Sequence, residues 1–119
     1  MGRTQDIGNR GEQIAAEYLQ KRGYTIIARN WRVKTGEIDI IGRHNGALVF
    51  VEVKLRGDVR YGQPEETVTF AKQQKLIRTA ELYCQQNRVT SPWRIDVIAI
   101  TPQADGTDEI LHLENAVTG

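Results

Sequence analysis

Residues 36–56, GEIDIIGRHNGALVFVEVKLR, constrain the fold of this chain most, because two apolar, β-branched runs meet at Asn45-Gly46. Asn-Gly tolerates the positive φ angles of a type I′ turn, so the spacing predicts a two-residue hairpin. In that register His44 pairs with Ala47 and facing positions sum to 91, which sets Asp39 opposite Glu52 and Glu37 opposite Lys54. Directly opposed Cβ atoms lie roughly 4.5–5.5 Å apart. Two carboxylates are thereby pressed together among Ile and Val residues, where charge is costly to bury.

Two readings account for these charges. In the structural one, Glu37 pairs with Lys54, Glu52 finds an arginine and Asp39 caps a turn. In the chemical one, strand alternation puts Glu52 and Lys54 on one face while Val51 and Val53 point to the other, and Asp39 joins them from the neighbouring strand. Hard divalent cations such as Mg²⁺ bind through one or two carboxylates, keep several waters and leave positions for phosphate oxygens. An adjacent ammonium can orient the attacking water or stabilise charge developing on a phosphoryl group. Phosphodiester hydrolysis uses all three groups.

A chain of 119 residues suits one domain with a single core. Cys84 is the only cysteine and His44 and His112 the only histidines, so neither an internal disulfide nor a Cys/His zinc cluster is available. Any metal is expected on oxygen ligands, and the setting is expected to be reducing. The first ten residues, MGRTQDIGNR, hold no apolar core of signal-peptide length, and no stretch approaches the ~20 apolar residues that span a bilayer. We therefore expect a soluble, cytoplasmic protein without a membrane partner. Net charge is only +1, but residues 101–119 carry Asp105, Asp108, Glu109 and Glu114 with no Lys or Arg, leaving 16 basic against 11 acidic residues before them. That asymmetry can create a basic face, although a mixed surface fits the charge equally well.

Along the chain, Gly11 to Arg22 carries helical spacing of Ile14, Ala15, Tyr18 and Leu19, with Asn9 as N-cap, Gly23 past the end, and Glu12 placed to complete a capping box. Tyr24 to Val33 reads as the first strand, with Trp31 as a core anchor. The segment GDVRYGQ, 57–63, reads as an exposed loop ended by Pro64. A second helix is expected from about Thr67 to Gln86, burying Phe70, Ile77, Ala80, Tyr83 and Cys84 and setting Lys72, Lys75 and Arg78 on a basic ridge. Trp93 to Ile100 and Ile110 to Leu113 read as strands, and Asp96, alone in an apolar run, requires a basic or amide partner.

GEIDII with Asp39 and VFVEVK with Glu52 and Lys54 resemble the D…ExK signature of the PD-(D/E)XK, restriction-endonuclease-like nuclease superfamily. The wider set, GEQIAAEYLQKRGY, RNWR, GEIDII, FVEVKLR, YGQPEE, the Lys-rich second helix and RIDVIAI, resembles the YraN family of small bacterial proteins over roughly residues 8–100. More distantly the chain is similar to archaeal Holliday-junction resolvases, which carry a further acid on the first helix, matching Glu12. The resemblance implies an α/β fold, a central mixed sheet flanked by helices; residues 101–119, beyond its reach, read from their composition as an acidic loop and strand. It implies Asp39 and Glu52 as ligands of Mg²⁺ or Mn²⁺, the Val53 carbonyl as a third, Glu12 as an accessory ligand, and Lys54 as catalytic base or charge stabiliser. Ile38 stands where the superfamily's name has Pro. The implied activity is DNA cleavage, on branched or single-stranded substrates, with Arg56, Arg60, Lys72 and Lys75 as candidate phosphate contacts. A homodimer would match a symmetric substrate, although nothing in the sequence demands one. Because nuclease folds are reused, a non-catalytic nucleic-acid-binding or scaffold protein is the alternative. On this reading Glu37 falls back to a supporting ion pair with Lys54.

Overall fold

A computed structural model describes residues 3–56 and 69–117. Helix α1 spans Arg3–Lys21, and strands β1 (Thr25–Val33), β2 (Gly36–His44) and β3 (Ala47–Leu55) follow it. Helix α2 (Phe70–Gln86) then crosses to β4 (Trp93–Pro102) and β5 (Asp108–Val117). The strands form one sheet in chain order, antiparallel throughout except for the parallel pair β3–β4, which α2 connects. This is the expected α/β fold with a mixed sheet flanked by helices, consistent with a restriction-endonuclease-like arrangement.

Each helix buries one face of the sheet. On one side Ala15, Ala16 and Leu19 of α1 pack on Ile40, Val49, Val51, Ile98 and Ile100, with Val53 and Leu55 at the margin. On the other, Leu76, Ala80 and Tyr83 of α2 pack on Ile41, Leu48, Phe50 and Ile95. The alternation read from β3 therefore holds, with odd-numbered valines toward α1. Complete burial of one such side chain contributes about 1.5–3 kcal/mol before entropy is counted. Gly11 lets α1 approach closely, since a Cβ there would meet the Leu55 Cβ at 3.3 Å. The next residue, Glu12, is thereby held over the end of β3.

The turn chemistry also holds. Asn45 and Gly46 have φ of 51° and 81°, as a type I′ turn requires, and the pairs from His44–Ala47 to Ile40–Val51 keep the expected register. Past Gly23, the amides of Gly23 and Tyr24 close α1 on the carbonyls of Gln20 and Leu19, a Schellman arrangement. Trp31 anchors the core edge-on against Tyr83, 5.1 Å between ring centres.

Several expectations are corrected. Helix α1 begins at Arg3, so Asn9 lies inside it and Glu12 completes no capping box. Thr69, whose side chain accepts from the Lys72 amide, caps α2, and Phe70 at its first position is 75% exposed rather than buried. Strand β5 runs well beyond Ile110–Leu113 in both directions. The ladder between β2 and β3 ends at Ile40–Val51, so Asp39 and Glu52 are not ladder partners. Glu37 pairs with Arg32 at 3.5 Å and Lys54 with Glu52 at 3.8 Å, so the expected Glu37–Lys54 pair does not form.

Candidate metal centre

Where the ladder stops, β1 and β2 both depart from regular alternation. Strict alternation would send residues three apart to opposite faces, yet Ala28 and Trp31 both join the core under α2, as do Ile38 and Ile41, while Ile40 joins the core under α1. The pairs Arg29–Ile40 and Trp31–Ile38 bracket Asn30 and place it across from Asp39. Asn30 takes up the irregularity with a left-handed φ of 55°. Beyond this point β2 peels from β3, and the Asp39 carboxylate accepts a hydrogen bond from the Val53 amide at 2.8 Å.

Charged groups gather in the opening. Carboxylate oxygens of Glu12 from α1 and of Glu37 and Asp39 from β2 lie within 4.8 Å of one another. Glu52 on β3 lies near enough for its charge to act on Asp39, and it lines the adjoining cleft with Glu37. Glu12 is 9% exposed and accepts from Asn30 Nδ2 at 2.8 Å, with Arg29 at 3.9 Å. On the α2 side a cleft of about 160 Å³ is lined by Glu37 and Glu52 on the sheet and by Lys72, Lys75 and Thr79 on the helix. Glu37 belongs to both the acid cluster and the cleft.

The electrostatics follow from burial. Loss of solvent, then the Glu52 charge, pushes the Asp39 carboxyl up to about 7; the Val53 amide opposes this, while Glu12 and Glu37 add to it. Burial likewise raises the Glu52 pKa against the pull of Lys54 and Lys72. Both carboxyls are thus biased toward their protonated forms in the absence of a cation. Asp96 is the contrast: burial alone would raise its pKa, but hydrogen bonds from His112 (2.7 Å), Arg94 (2.9 Å) and the Asn115 amide (2.9 Å) hold it below the usual range. The expected basic partner is therefore Arg94 itself, joined by His112, and Asp96 belongs to a structural network.

Of the residues singled out from sequence, Glu12, Asp39, Glu52 and Lys54 converge here, and Lys72 and Lys75 face them across the cleft. Val53 contributes its amide to Asp39. The Arg56 amide donates to the Ile100 carbonyl at 2.7 Å, at the end of β3. Arg60, with the rest of the 57–63 loop and Pro64, lies outside the described residues. Sequence reasoning demoted Glu37, which the structure returns to the cluster, and assigned nothing to Asn30. The available signals were the two-residue spacing of Glu37 from Asp39, and an Asn inside a β-prone run, where that residue is disfavoured.

Fold and site together define the class: an α/β protein whose mixed sheet opens at one hairpin to present a buried carboxylate cluster beside a lysine. A family description, "Uncharacterised protein family UPF0102", matches residues 11–100, and the chain belongs to that family. It is 49% identical to the UPF0102 protein of Symbiobacterium thermophilum over 111 residues, covering 92% of this chain and 94% of that one. Identity to the UPF0102 protein of Clavibacter michiganensis is 50% over 101 residues, 84% and 86% of the two chains. The Leifsonia xyli relative, 39% identical, is matched over 98% of this chain and 100% of its own length.

Proposed function

We propose that this protein is a metal-dependent endonuclease that hydrolyses DNA phosphodiester bonds. One observation carries the reading: the partly buried Asp39 carboxylate lies beside the carboxylates of Glu12 and Glu37, and its hydrogen-bond donor is the Val53 amide, so its ionised form is disfavoured without a cation. The donor set fits a hard divalent cation, because the grouped side chains offer only carboxylate oxygens. Asp39, Glu52 and Glu12 would hold Mg²⁺ or Mn²⁺, with Glu37 beside them and the Val53 carbonyl as a further candidate. Such an ion supplies Lewis-acid polarisation of a phosphoryl oxygen and neutralises the carboxylates.

The remaining work belongs to the chain. Lys54, 3.8 Å from Glu52 on the same strand face, is positioned to orient the attacking water or to stabilise negative charge on the transferred phosphoryl group. Lys72 and Lys75 line the opposite wall and offer the phosphate backbone two ammonium groups. The Val53 amide fixes one Asp39 oxygen, which limits the motion of the carboxylate most disfavoured by its surroundings. Branched or single-stranded DNA is the expected substrate, and among the described residues no helix is long and apolar enough to cross a membrane.

The test is cleavage of junction, flap, single-stranded and duplex DNA in Mg²⁺ or Mn²⁺ by the wild type, Asp39→Asn and Lys54→Ala. The wild type should cleave at least one substrate, and each variant should lose about 10²–10³-fold, the scale for removing one preorganised charge-stabilising group. Cleavage that persists in both variants would sink the site. Salt-sensitive binding without metal-dependent cleavage would instead identify a nucleic-acid-binding protein that keeps the fold.

A further inference from the structure

Asn30 has two unusual properties in one place. Its backbone is left-handed, with φ of 55°, in the interior of strand β1. A non-glycine residue pays roughly 1–2 kcal/mol for that conformation, and asparagine is among the few that tolerate it. Its side-chain amide donates to Glu12 Oε1 at 2.8 Å, reaching from the sheet to helix α1.

These properties act on the same neighbours. The left-handed turn sits across from Asp39, where β2 also breaks its alternation, so the kink in β1 accompanies the one that frees Asp39 to bond the Val53 amide. The side chain holds Glu12, which shares a cluster with Asp39 and Glu37. Arg29, 3.9 Å from the same Glu12 oxygen, also donates to Gln13 at 3.0 Å and so fixes this segment of β1 to α1. Backbone strain of this kind persists only where the surroundings enforce it, and it concentrates at functional sites.

We infer that Asn30 is a positioning residue for the cation site: its backbone sets the kink that turns Asp39 into the cluster, and its amide orients the Glu12 carboxylate toward that same point. The inference rests on the proposed metal-dependent reading and adds to it the residue that assembles the ligands. Without that bond Glu12, set beside Glu37 and Asp39, would keep, among the described residues, only the longer Arg29 contact at 3.9 Å. One hydrogen bond to one of its oxygens leaves the second oxygen available to a ligand. Partners of this type typically change metal affinity 10–100-fold when removed.

Because Asn30→Gly keeps the left-handed backbone and deletes only the amide, it separates the two contributions. Mn²⁺ affinity is measured by calorimetry on wild type, Asn30→Gly, Glu12→Gln and the double variant, with melting temperature in EDTA recorded for each. Asn30→Gly should weaken Mn²⁺ binding about tenfold or more, while in the Glu12→Gln background the same change should have less than about a twofold effect, since coupled residues are not additive. Asn30→Ala, which also lacks the amide and adds no charge, replaces glycine in the cycle if the glycine variant does not fold. A melting temperature that falls while Mn²⁺ affinity stays at the wild-type value overturns the inference and leaves the metal site standing. Equal effects of Asn30→Gly with and without Glu12 also overturn it. A wild type with no affinity for Mn²⁺ overturns the functional reading itself, an outcome distinguishable from both.

Discussion

Asp39→Asn should make the metal-free protein more stable at pH 8, although it removes a residue assigned to the site. The Asp39 carboxyl moves from an ordinary value of 3.8 to about 7 on folding. A raised carboxyl pKa means that the folded state holds its proton more tightly than the unfolded one, so its contribution is fully present below about pH 4. Stability is then lost as pH rises toward 7 and stays low above it. At 1.36 kcal/mol per unit, the shift corresponds to about 4 kcal/mol, shared with Glu52. For a domain of this size that is on the order of 10 °C in melting temperature. An asparagine keeps an oxygen to accept from the Val53 amide and removes the charge that Glu52, Glu12 and Glu37 oppose. Thermal unfolding followed by circular dichroism in EDTA, from pH 4.5 to 8.5, should show the wild type losing stability with rising pH and the variant changing much less. Added Mn²⁺ should restore the wild type at pH 8, by about 2.7 kcal/mol at a hundredfold excess over Kd, and should restore the variant far less. The reasoning is refuted by parallel pH profiles for the two proteins, or by a variant less stable than wild type at pH 8.

Two further outcomes probe other parts of the structure. Asp96→Ala removes a fully buried carboxylate and leaves Arg94 and His112 without their shared partner; it should cost about 3–5 kcal/mol in chemical denaturation and leave Mn²⁺ affinity unchanged if the protein folds. Lys72→Ala and Lys75→Ala, on the helical wall of the cleft, should each weaken DNA binding uniformly across sequences and reduce the slope of log K against log salt by about one, measured by fluorescence anisotropy.

How much of this was legible in the sequence depends on how local the determining contacts are. The Asn45-Gly46 turn and the β2–β3 register required only adjacent residues, and both are found. The charges of Asp39, Glu52 and Lys54 stood out because they interrupt apolar runs. Glu12 was visible as an acid on a helix, but its structural role was misassigned because residues before Asn9 continue the helix without a strong apolar stripe. The direct facing of Asp39 and Glu52 extrapolated a regular ladder past Ile40, where it ends beside the irregularity at Asn30, a residue in another strand. Phe70 was placed inside by its hydrophobicity, yet it stands one residue past the N-cap, before the helix has turned its buried face to the sheet. Two of these misreadings came from where a helix begins, and the third from an irregularity in a neighbouring strand.

The parallel pairing of β3 with β4 has a kinetic meaning. Every acid of the cluster, together with Lys54, lies between residues 12 and 54, on helix α1 and on strands β2 and β3. The contacts within the β2–β3 hairpin close a short loop, and hairpins of this kind form in about 1–10 μs. The β3–β4 ladder must wait for the crossover through α2, a longer loop with a larger closure entropy. Repulsion between the Asp39 and Glu52 charges, carried by the two strands of one hairpin, is therefore expected from the hairpin stage of folding onward. Neutralising that repulsion, by protons or by a cation, acts on the rate at which the protein folds as well as on how long it stays folded.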